Sequence, residues 1–372
     1  MASSLTLIIL GIFVVYLSYL QIQIIKNTRD KNEQDYCKIL LILFIAANFW
    51  FFINVDITFP LDVALLMGYS LMVAFFKIYN LLIRHVFKSD TEMGEIDENF
   101  QNDKKNLHEF LRKFFHFFVF GGSVLYVIIY NTISMDVISN DPNQIIGNYV
   151  FWEDIPILGD INFNFKFEPL FYEYPMMQLS LITLFMIALP FVVIVERFRL
   201  DPKREIPFHI LFVKSLRPDE RHNAAHYYFF TFGIFLSAAF LPTAYVFGIL
   251  CILCFGDTFA GLVGKRCAGK FLGNIPWESE KCWEGSIAGF IATFLTSVFF
   301  VGWWIGLILA IIFIVIDIIT PYTLKVSDNF AYPLLSIGIL AIILLVGFQT
   351  TTIFGELLGD LNNWYINNAN QI

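Results

Sequence analysis

The chain of 372 residues alternates between long apolar runs and shorter polar stretches. An apolar run of about 20 residues is long enough to cross the hydrocarbon core of a bilayer as a helix. About ten runs approach that length, and they are Leu5–Ile25, Tyr36–Asn54, Leu61–Phe87, Phe114–Ile133, Met176–Val195, Tyr227–Leu241, Thr243–Phe255, Gly285–Val301, Trp303–Ile319 and Tyr332–Ile353. The pattern predicts an all-α, polytopic integral membrane bundle of about ten transmembrane helices.

Two neighbouring runs are short for a span. Tyr227–Leu241 and Thr243–Phe255 are separated by Pro242, which favours a tight turn. The pair is interpreted either as two helices or as one hairpin that does not fully cross the membrane. No small-residue cleavage site follows Leu5–Ile25, so we expect a retained helix and not a cleaved signal peptide.

The distribution of Lys and Arg predicts the orientation of the bundle. Basic residues are concentrated in the odd-numbered loops, whereas the stretch Ser134–Pro175 between the fourth and fifth helices contains only Lys166. Because basic loops stay in the cytoplasm, we predict that both termini lie outside and that every odd loop is cytoplasmic. The predicted division is an N-terminal three-helix membrane block (1–87), a charged cytoplasmic linker (88–110), a catalytic membrane bundle (111–353) and a polar tail (354–372).

The composition excludes an ordinary soluble protein. The chain is 57% hydrophobic and 15% charged with a mean hydropathy of +0.66, against about 45–50% apolar and about 25% charged in soluble domains. A net charge of -8 without a basic arm argues against a nucleic-acid partner. The pair Cys251-x-x-Cys254 lies inside an apolar run, so we expect small helix side chains there, not a disulfide or a zinc site.

The seventh loop carries the strongest chemical signal. Its glycines, bases and acids are Gly256, Asp257, Gly261, Gly264, Lys265, Arg266, Lys281, Glu284 and Gly285. Glycines let a backbone approach a ligand, and basic side chains attract phosphates. Asp257 and Glu284 stand at the ends of apolar helices, where a carboxylate is costly unless it is paired or ligating. Two carboxylates facing phosphates suit Mg²⁺; the alternative is a basic cytoplasmic loop whose glycines only turn the chain.

Two further clusters lie at predicted cytoplasmic helix entries. Arg112 and His116 are four residues apart and share a helix face, so both can point at one ligand; alternatively, they extend toward lipid phosphates. Asp328-Asn329-x-x-x-Pro333 precedes the last helix. An acid with a carboxamide suits a metal or an attacking hydroxyl, although the same pair also suits a helix N-terminal cap.

Together these motifs resemble those of the CTP-dependent lipid-alcohol kinases, the family of dolichol kinase, phytol kinase and CTP-dependent diacylglycerol kinase. The resemblance runs from Leu111 to about Phe348 and is closest to the phytol-kinase-like branch. Its residues are Asp257-x-x-Ala260-x-x-x-Gly264, Pro276, Lys281-x-x-Glu284-Gly285, Arg112-Lys113-x-x-His116, and Asp328-Asn329-x-x-x-Pro333. The chain departs from the dolichol-kinase pattern, which has a glycine in place of Ala268 and Lys-Lys-Thr in place of Glu280-Lys281-Cys282.

The resemblance implies a cytoplasm-facing enzyme that transfers the γ-phosphoryl group of CTP to the hydroxyl of a membrane lipid, with an isoprenoid alcohol favoured. The implied roles are Mg²⁺ binding by Asp257, Glu284 and Asp328 (with Asp328 also a candidate base), phosphate or nucleotide binding by Gly261, Gly264, Lys265, Arg266, Lys281 and Gly285, and orientation of the transferred group by Arg112 and His116. A CTP-dependent diacylglycerol kinase, a phosphatidate-type cytidylyltransferase and a non-catalytic transporter or scaffold remain alternatives.

Overall fold

A computed structural model describes residues 4–54, 113–127, 175–200, 222–267, 269–320 and 327–345, most of which are helical. The helices are α1 (Ser4–Asn27), α2 (Lys31–Asn54), α3 (Lys113–Val127), α4 (Pro175–Arg199), α5 (His226–Phe240), α6 (Thr243–Cys251), α7 (Asp257–Cys267), α8 (Trp283–Ile319) and α9 (Asp328–Leu345). A π-turn, Ile252–Gly256, joins α6 to α7, and a small antiparallel hairpin of β1 (Asn274–Ile275) and β2 (Glu278–Cys282) precedes α8.

The predicted helical class is confirmed, and most predicted runs in the described part coincide with helices. The runs Leu5–Ile25, Tyr36–Asn54, Met176–Val195 and Tyr227–Leu241 match α1, α2, α4 and α5 to within a few residues, apart from an extra turn at the start of α2. The run Leu61–Phe87, most of the stretch Ser134–Pro175 and the ends of the chain lie outside the described residues. The number of spans, the orientation of the termini and the domain division therefore stay predictions.

Helix α8 is folded back on itself at Gly302. That residue has φ 75° and ψ 174°, a backbone conformation that favours glycine. The two arms, 283–301 and 303–319, run antiparallel, because Ser286 in the first donates a hydrogen bond of 2.5 Å to Asp317 in the second. The sequence predicts two helices meeting at this glycine, and that prediction is confirmed.

Helix α5 lies at the centre of the bundle. Its side chains from His226 to Ala238 are all buried, as expected of a helix that is apolar on every face. At Gly233 a Cβ atom would lie 2.5 Å from Cγ of Pro333 in α9. The absence of a side chain at this glycine thus lets α9 approach α5, and the Asp328-Asn329-x-x-x-Pro333 motif is held against the core.

The turn between α1 and α2 docks on the start of α5. Asp30 caps α2 by accepting the Glu33 amide at 3.0 Å. The Asn223 side-chain oxygen accepts the backbone amides of Arg29 and Asp30 at 3.2 and 2.9 Å. Leu17 and Ile24 of α1 are buried in the same core as α4 and α5. The N-terminal helices are thus packed on the bundle.

The outside of the bundle is apolar, as expected where lipid replaces water. On the first arm of α8 the exposed side chains Ile287, Ile291, Leu295 and Phe299 recur every four residues. Trp303 and Trp304, each 60% exposed, follow the turn at Gly302, and tryptophan is typical of membrane interfaces. Two helical stretches of the described part, Thr243–Cys267 and Trp283–Ile319, are long and apolar enough to cross a bilayer, which indicates a membrane protein.

One predicted loop is instead helical. The run Thr243–Phe255 does not end at Gly256; the helix passes through the π-turn and continues as α7 to Cys267. Close packing of α7 on α8 supplies the reason, because a Cβ atom on Gly285 would lie 2.8 Å from the Ala260 carbonyl oxygen and 3.1 Å from Gly264 Cα. Tertiary contact overrides the low helix propensity of the glycines here.

Candidate functional site

Asp257 of α7 forms an ion pair with Lys113 of α3. The Lys113 ammonium contacts the Asp257 carboxylate and also donates to the Asp257 backbone carbonyl at 3.0 Å. The two side chains are only 10% and 16% exposed. At this depth each charge depends on the other for compensation of its lost hydration. Lys113, which belongs to the Arg112-Lys113-x-x-His116 motif but was predicted to have no role of its own, is therefore a principal partner of Asp257.

His116 lies one helical turn from Lys113 and completes the cluster. Its Nδ1 is 3.2 Å from the Leu253 carbonyl oxygen and 4.0 Å from an Asp257 carboxylate oxygen. Because a carbonyl can only accept, this contact assigns a proton to Nδ1. The ring stacks on Phe230 at 4.6 Å with an interplanar angle of 9°, which fixes its plane.

The π-turn positions this cluster. Within it the Asp257 amide donates to the Ile252 carbonyl, five residues earlier, and the Leu253 carbonyl accepts from His116. The Cys254 thiol donates to the His116 carbonyl at 3.2 Å. Single π-turns in α-helices are frequent at functional sites. Here the turn rotates Asp257 onto α3, which joins two segments that are 144 residues apart in the chain.

The glycines predicted to bind nucleotide lie on the inner face of α7 and at the start of α8. At about 100° per residue, Gly261 and Gly264 share the face of Asp257. A Cβ atom on Gly261 would lie 3.9 Å from Cε of Lys113, whereas Gly264 and Gly285 touch each other. Because Gly261 and Gly264 lie inside an α-helix, their backbone is not an open loop around a ligand. The structure assigns Gly264 and Gly285 to helix packing.

Lys265 and Arg266 point in different directions from α7. On the same helical geometry Lys265 lies about 80° from Asp257, and Arg266 lies about 180° away. Both side chains are exposed. Lys265 is therefore the nearer of the two to the face that carries Asp257, and phosphate binding by Lys265 and Arg266 stays a prediction.

Glu284 holds a loop instead of facing Asp257. Its Oε1 accepts the backbone amides of Phe271 and Leu272 at 2.8 and 2.9 Å. Because Gly289 lies beside Gly256, Glu284 is displaced from Asp257 by about 6 Å along the antiparallel helices. Its Oε1 is engaged by the loop.

Lys281 is also engaged. Its ammonium donates to the Asp317 carboxylate at 2.8 Å and to the carbonyl oxygens of Asp317 and Thr320 at 2.7 and 2.9 Å. These bonds use all three ammonium protons and tie β2 to the end of α8. The predicted phosphate contact would require them to break, so the structure gives Lys281 a structural role instead.

Asp328 begins α9, and its Oδ1 accepts the amide of the next residue, Asn329, at 2.9 Å. Asn329 is buried. Tyr332 stacks on Phe313, whose ring lies against Gly256. The second and third motifs therefore converge on the same end of the bundle as Asp257.

The donor set does not form a preorganised metal centre. Within the described ranges, no three His, Cys, Asp or Glu side chains are close enough together to hold a metal ion. The Asp257 carboxylate is paired with Lys113, and Glu284 binds backbone amides. Mg²⁺ binding by Asp257, Glu284 and Asp328 therefore stays a prediction. Arg112 lies just outside the described residues.

A second buried polar network lies at the start of α5 and was not anticipated. Glu196 of α4 accepts from Arg199 at 2.5 and 2.8 Å, from the Tyr227 hydroxyl at 2.5 Å and from the Ala225 amide at 2.8 Å. An acid in an apolar helix with Arg three residues later is a sequence signal for such a pair. The network is internally satisfied, so it stabilises the junction of α4 and α5.

Comparisons with known proteins reach only part of the chain. No protein-family model matches it, and no solved structure matches it. Over 108 residues, 26% of this chain, it is 35% identical to a protein described as probable phytol kinase 3, chloroplastic, from Glycine max. The matched segment covers 33% of that relative. The chain is thus similar, over about a quarter of its length, to a probable phytol kinase.

Proposed function

We propose that the chain is a membrane kinase that phosphorylates the hydroxyl group of a lipid alcohol, with CTP as the phosphoryl donor and an isoprenoid alcohol as the acceptor. The cluster of Lys113, His116 and Asp257 carries this proposal. It provides a cation, an oriented imidazole and a carboxylate on two apolar helices. The similarity to a probable phytol kinase supports the lipid-alcohol acceptor. The preference for CTP rests on the motif resemblance.

Phosphoryl transfer requires positioning and charge neutralisation more than covalent chemistry from the protein. A polyphosphate arriving at the cluster would compete with Asp257 for the Lys113 ammonium. Once released, the Asp257 carboxylate is free to accept the proton of the lipid hydroxyl. The hydroxyl oxygen then bonds to the γ-phosphorus, the bond from that phosphorus to the β-phosphate bridging oxygen breaks, and CDP leaves.

The remaining side chains assist this step. Because Nδ1 of His116 donates its proton to the Leu253 carbonyl oxygen, the His116 ring keeps one orientation beside Asp257. Lys265 and Gly261 lie on the same side of α7 as Asp257 and are the predicted contacts for the nucleotide. Mg²⁺ bound to CTP remains part of the prediction; no step here depends on it, because the described residues contain no three-ligand centre.

The test is a product assay with purified protein in nanodiscs. Phytol, geranylgeraniol, dolichol and diacylglycerol are each offered with γ-labelled CTP or ATP, and α-labelled CTP identifies the nucleotide product. The proposal predicts a labelled lipid phosphate and CDP with an isoprenoid alcohol and CTP. Pyrophosphate release with a CDP-lipid product would show a cytidylyltransferase, and labelling of diacylglycerol alone would reject the isoprenoid acceptor.

A further inference from the structure

The outer face of α7 and the loop that follows it display apolar side chains. Phe259 and Leu262 are exposed on the helix. In the loop, Phe271 is 81% exposed and Leu272 is 58% exposed. This face is opposite Asp257, so it is separate from the candidate catalytic cluster. Large apolar side chains that are exposed close together in the chain call for a partner. We call the face of α7 that carries Phe259 and Leu262, together with loop 269–273, the α7 rim.

The loop backbone is held rigidly. Gly269 and Gly273 have φ values of 70° and 89° and bracket the three residues between them. Glu284 accepts both the Phe271 and Leu272 amides. Further bonds run from the Lys270 amide to the Cys267 carbonyl at 3.0 Å and from the Trp283 amide to the Gly273 carbonyl at 3.2 Å. These hydrogen bonds therefore hold Phe271 and Leu272 in their exposed positions.

Basic side chains flank this apolar tip. Arg266 on α7 and Lys270 in the loop are both exposed. A short β-hairpin connects the loop to Trp283, which is the first residue of α8, a helix apolar enough to cross a bilayer. A combination of large apolar tips and cations beside a span is typical of a segment lying in the membrane interface. Anionic headgroups of the cytoplasmic leaflet complement the basic side chains.

We propose that the α7 rim is an interfacial anchor: Phe271 and Leu272 insert at the acyl boundary of the leaflet, and Arg266 and Lys270 bind anionic lipid headgroups. In this role Glu284 is a positioning residue that aims the loop at the lipid. The anchor holds loop 269–273, which follows the helical stretch Thr243–Cys267, at the membrane surface, while the opposite face of α7 carries Asp257. The proposal does not depend on the identity of the substrate.

The test places a fluorophore at the loop tip of the full chain. Phe271→Cys, made with Cys267→Ser, is labelled with an environment-sensitive dye and reconstituted in nanodiscs. The discs contain phosphatidylcholine alone or with phosphatidylglycerol, each with or without acyl-chain nitroxide lipids. Asp35→Cys, in the same Cys267→Ser background, is the matched control because Asp35 is an exposed polar residue at the start of α2.

Insertion predicts blue-shifted emission and at least about twofold stronger nitroxide quenching at position 271 than at position 35. We expect quenching to rise with phosphatidylglycerol and the rise to disappear in Arg266→Gln/Lys270→Gln. Glu284→Gln should reduce the quenching while the protein still elutes as a single folded species. A label at 271 that aqueous iodide quenches and lipid nitroxides do not would overturn the proposal. Protection from both quenchers would also overturn it, because a protein surface would then cover the loop. If the double variant keeps the phosphatidylglycerol dependence, the headgroup assignment is wrong.

Discussion

Removal of the Lys113 charge tests the ion pair at the centre of the site. In Lys113→Met the Asp257 carboxylate stays largely buried but loses its cation. Breaking a fully buried pair costs about 3–5 kcal/mol, whereas exposed pairs contribute about 0–1 kcal/mol. With side chains 10% and 16% exposed, this pair lies nearer the buried limit, and we expect a loss of about 2–3 kcal/mol.

The matching thermal shift is a decrease of about 4–10 °C in Tm, measured by intrinsic fluorescence in detergent. Lys113→Met/Asp257→Asn removes both charges, so it should recover at least half of that decrease. Lipid phosphorylation should stay low in both variants, because both lack the cation for the phosphates. Lys38→Met is the control: its pair with Asp35 is half exposed, and its Tm should not change.

Two outcomes would show that the Lys113–Asp257 ion pair does not stabilise the fold. If Lys113→Met has the same Tm as the wild-type protein, the buried Asp257 carboxylate does not need the Lys113 charge for stability. If the double variant is no more stable than the single one, lost packing of the lysine chain explains the decrease, and the pair is not the cause.

Further predictions concern packing and the reassigned lysine. Gly285→Ala places a Cβ atom 2.8 Å from the Ala260 carbonyl oxygen and should lower the free energy of unfolding by about 1–3 kcal/mol. In the control Gly338→Ala nothing lies within 4 Å of the new Cβ atom, so its Tm should be unchanged or higher. Equal Tm values for the two variants would contradict the close packing of α7 on α8. Lys281→Met should lower Tm, because the Lys281 ammonium is bound to Asp317, while the nucleotide KM of the folded fraction stays within about twofold of the wild-type value. A tenfold increase in KM with unchanged Tm would instead show that Lys281 binds phosphate.

The helices were predictable because apolar length alone specifies a membrane helix. The reversal at Gly302 was also predictable, since the glycine separates two runs of span length. Helix α7 was not, because its glycines favour a loop by intrinsic propensity. What makes it helical is contact with Gly285, about twenty residues later in the chain, and no local pattern encodes that contact.

The site was predictable in part for a similar reason. Asp257 and His116 stand out as polar residues at the ends of apolar runs, and the structure brings them to 4.0 Å. Lys113 and Lys281 differ only in their distant partners. One reaches Asp257 and the other Asp317, at separations of 144 and 36 residues. Basic residues in a cytoplasmic loop have the same sequence signature whether they bind a carboxylate, a lipid or a nucleotide.

The role of Asp257 in phosphoryl transfer is tested most directly by lipid phosphate formation from γ-labelled CTP by Asp257→Asn, compared with Asp35→Asn at equal folded protein in nanodiscs. Asparagine keeps the shape of Asp257 but removes the negative charge that pairs with Lys113 and accepts the hydroxyl proton. We predict that Asp257→Asn loses about 10²–10³-fold in rate, while Asp35→Asn keeps the wild-type rate. A rate for Asp257→Asn within about twofold of the control would contradict the account.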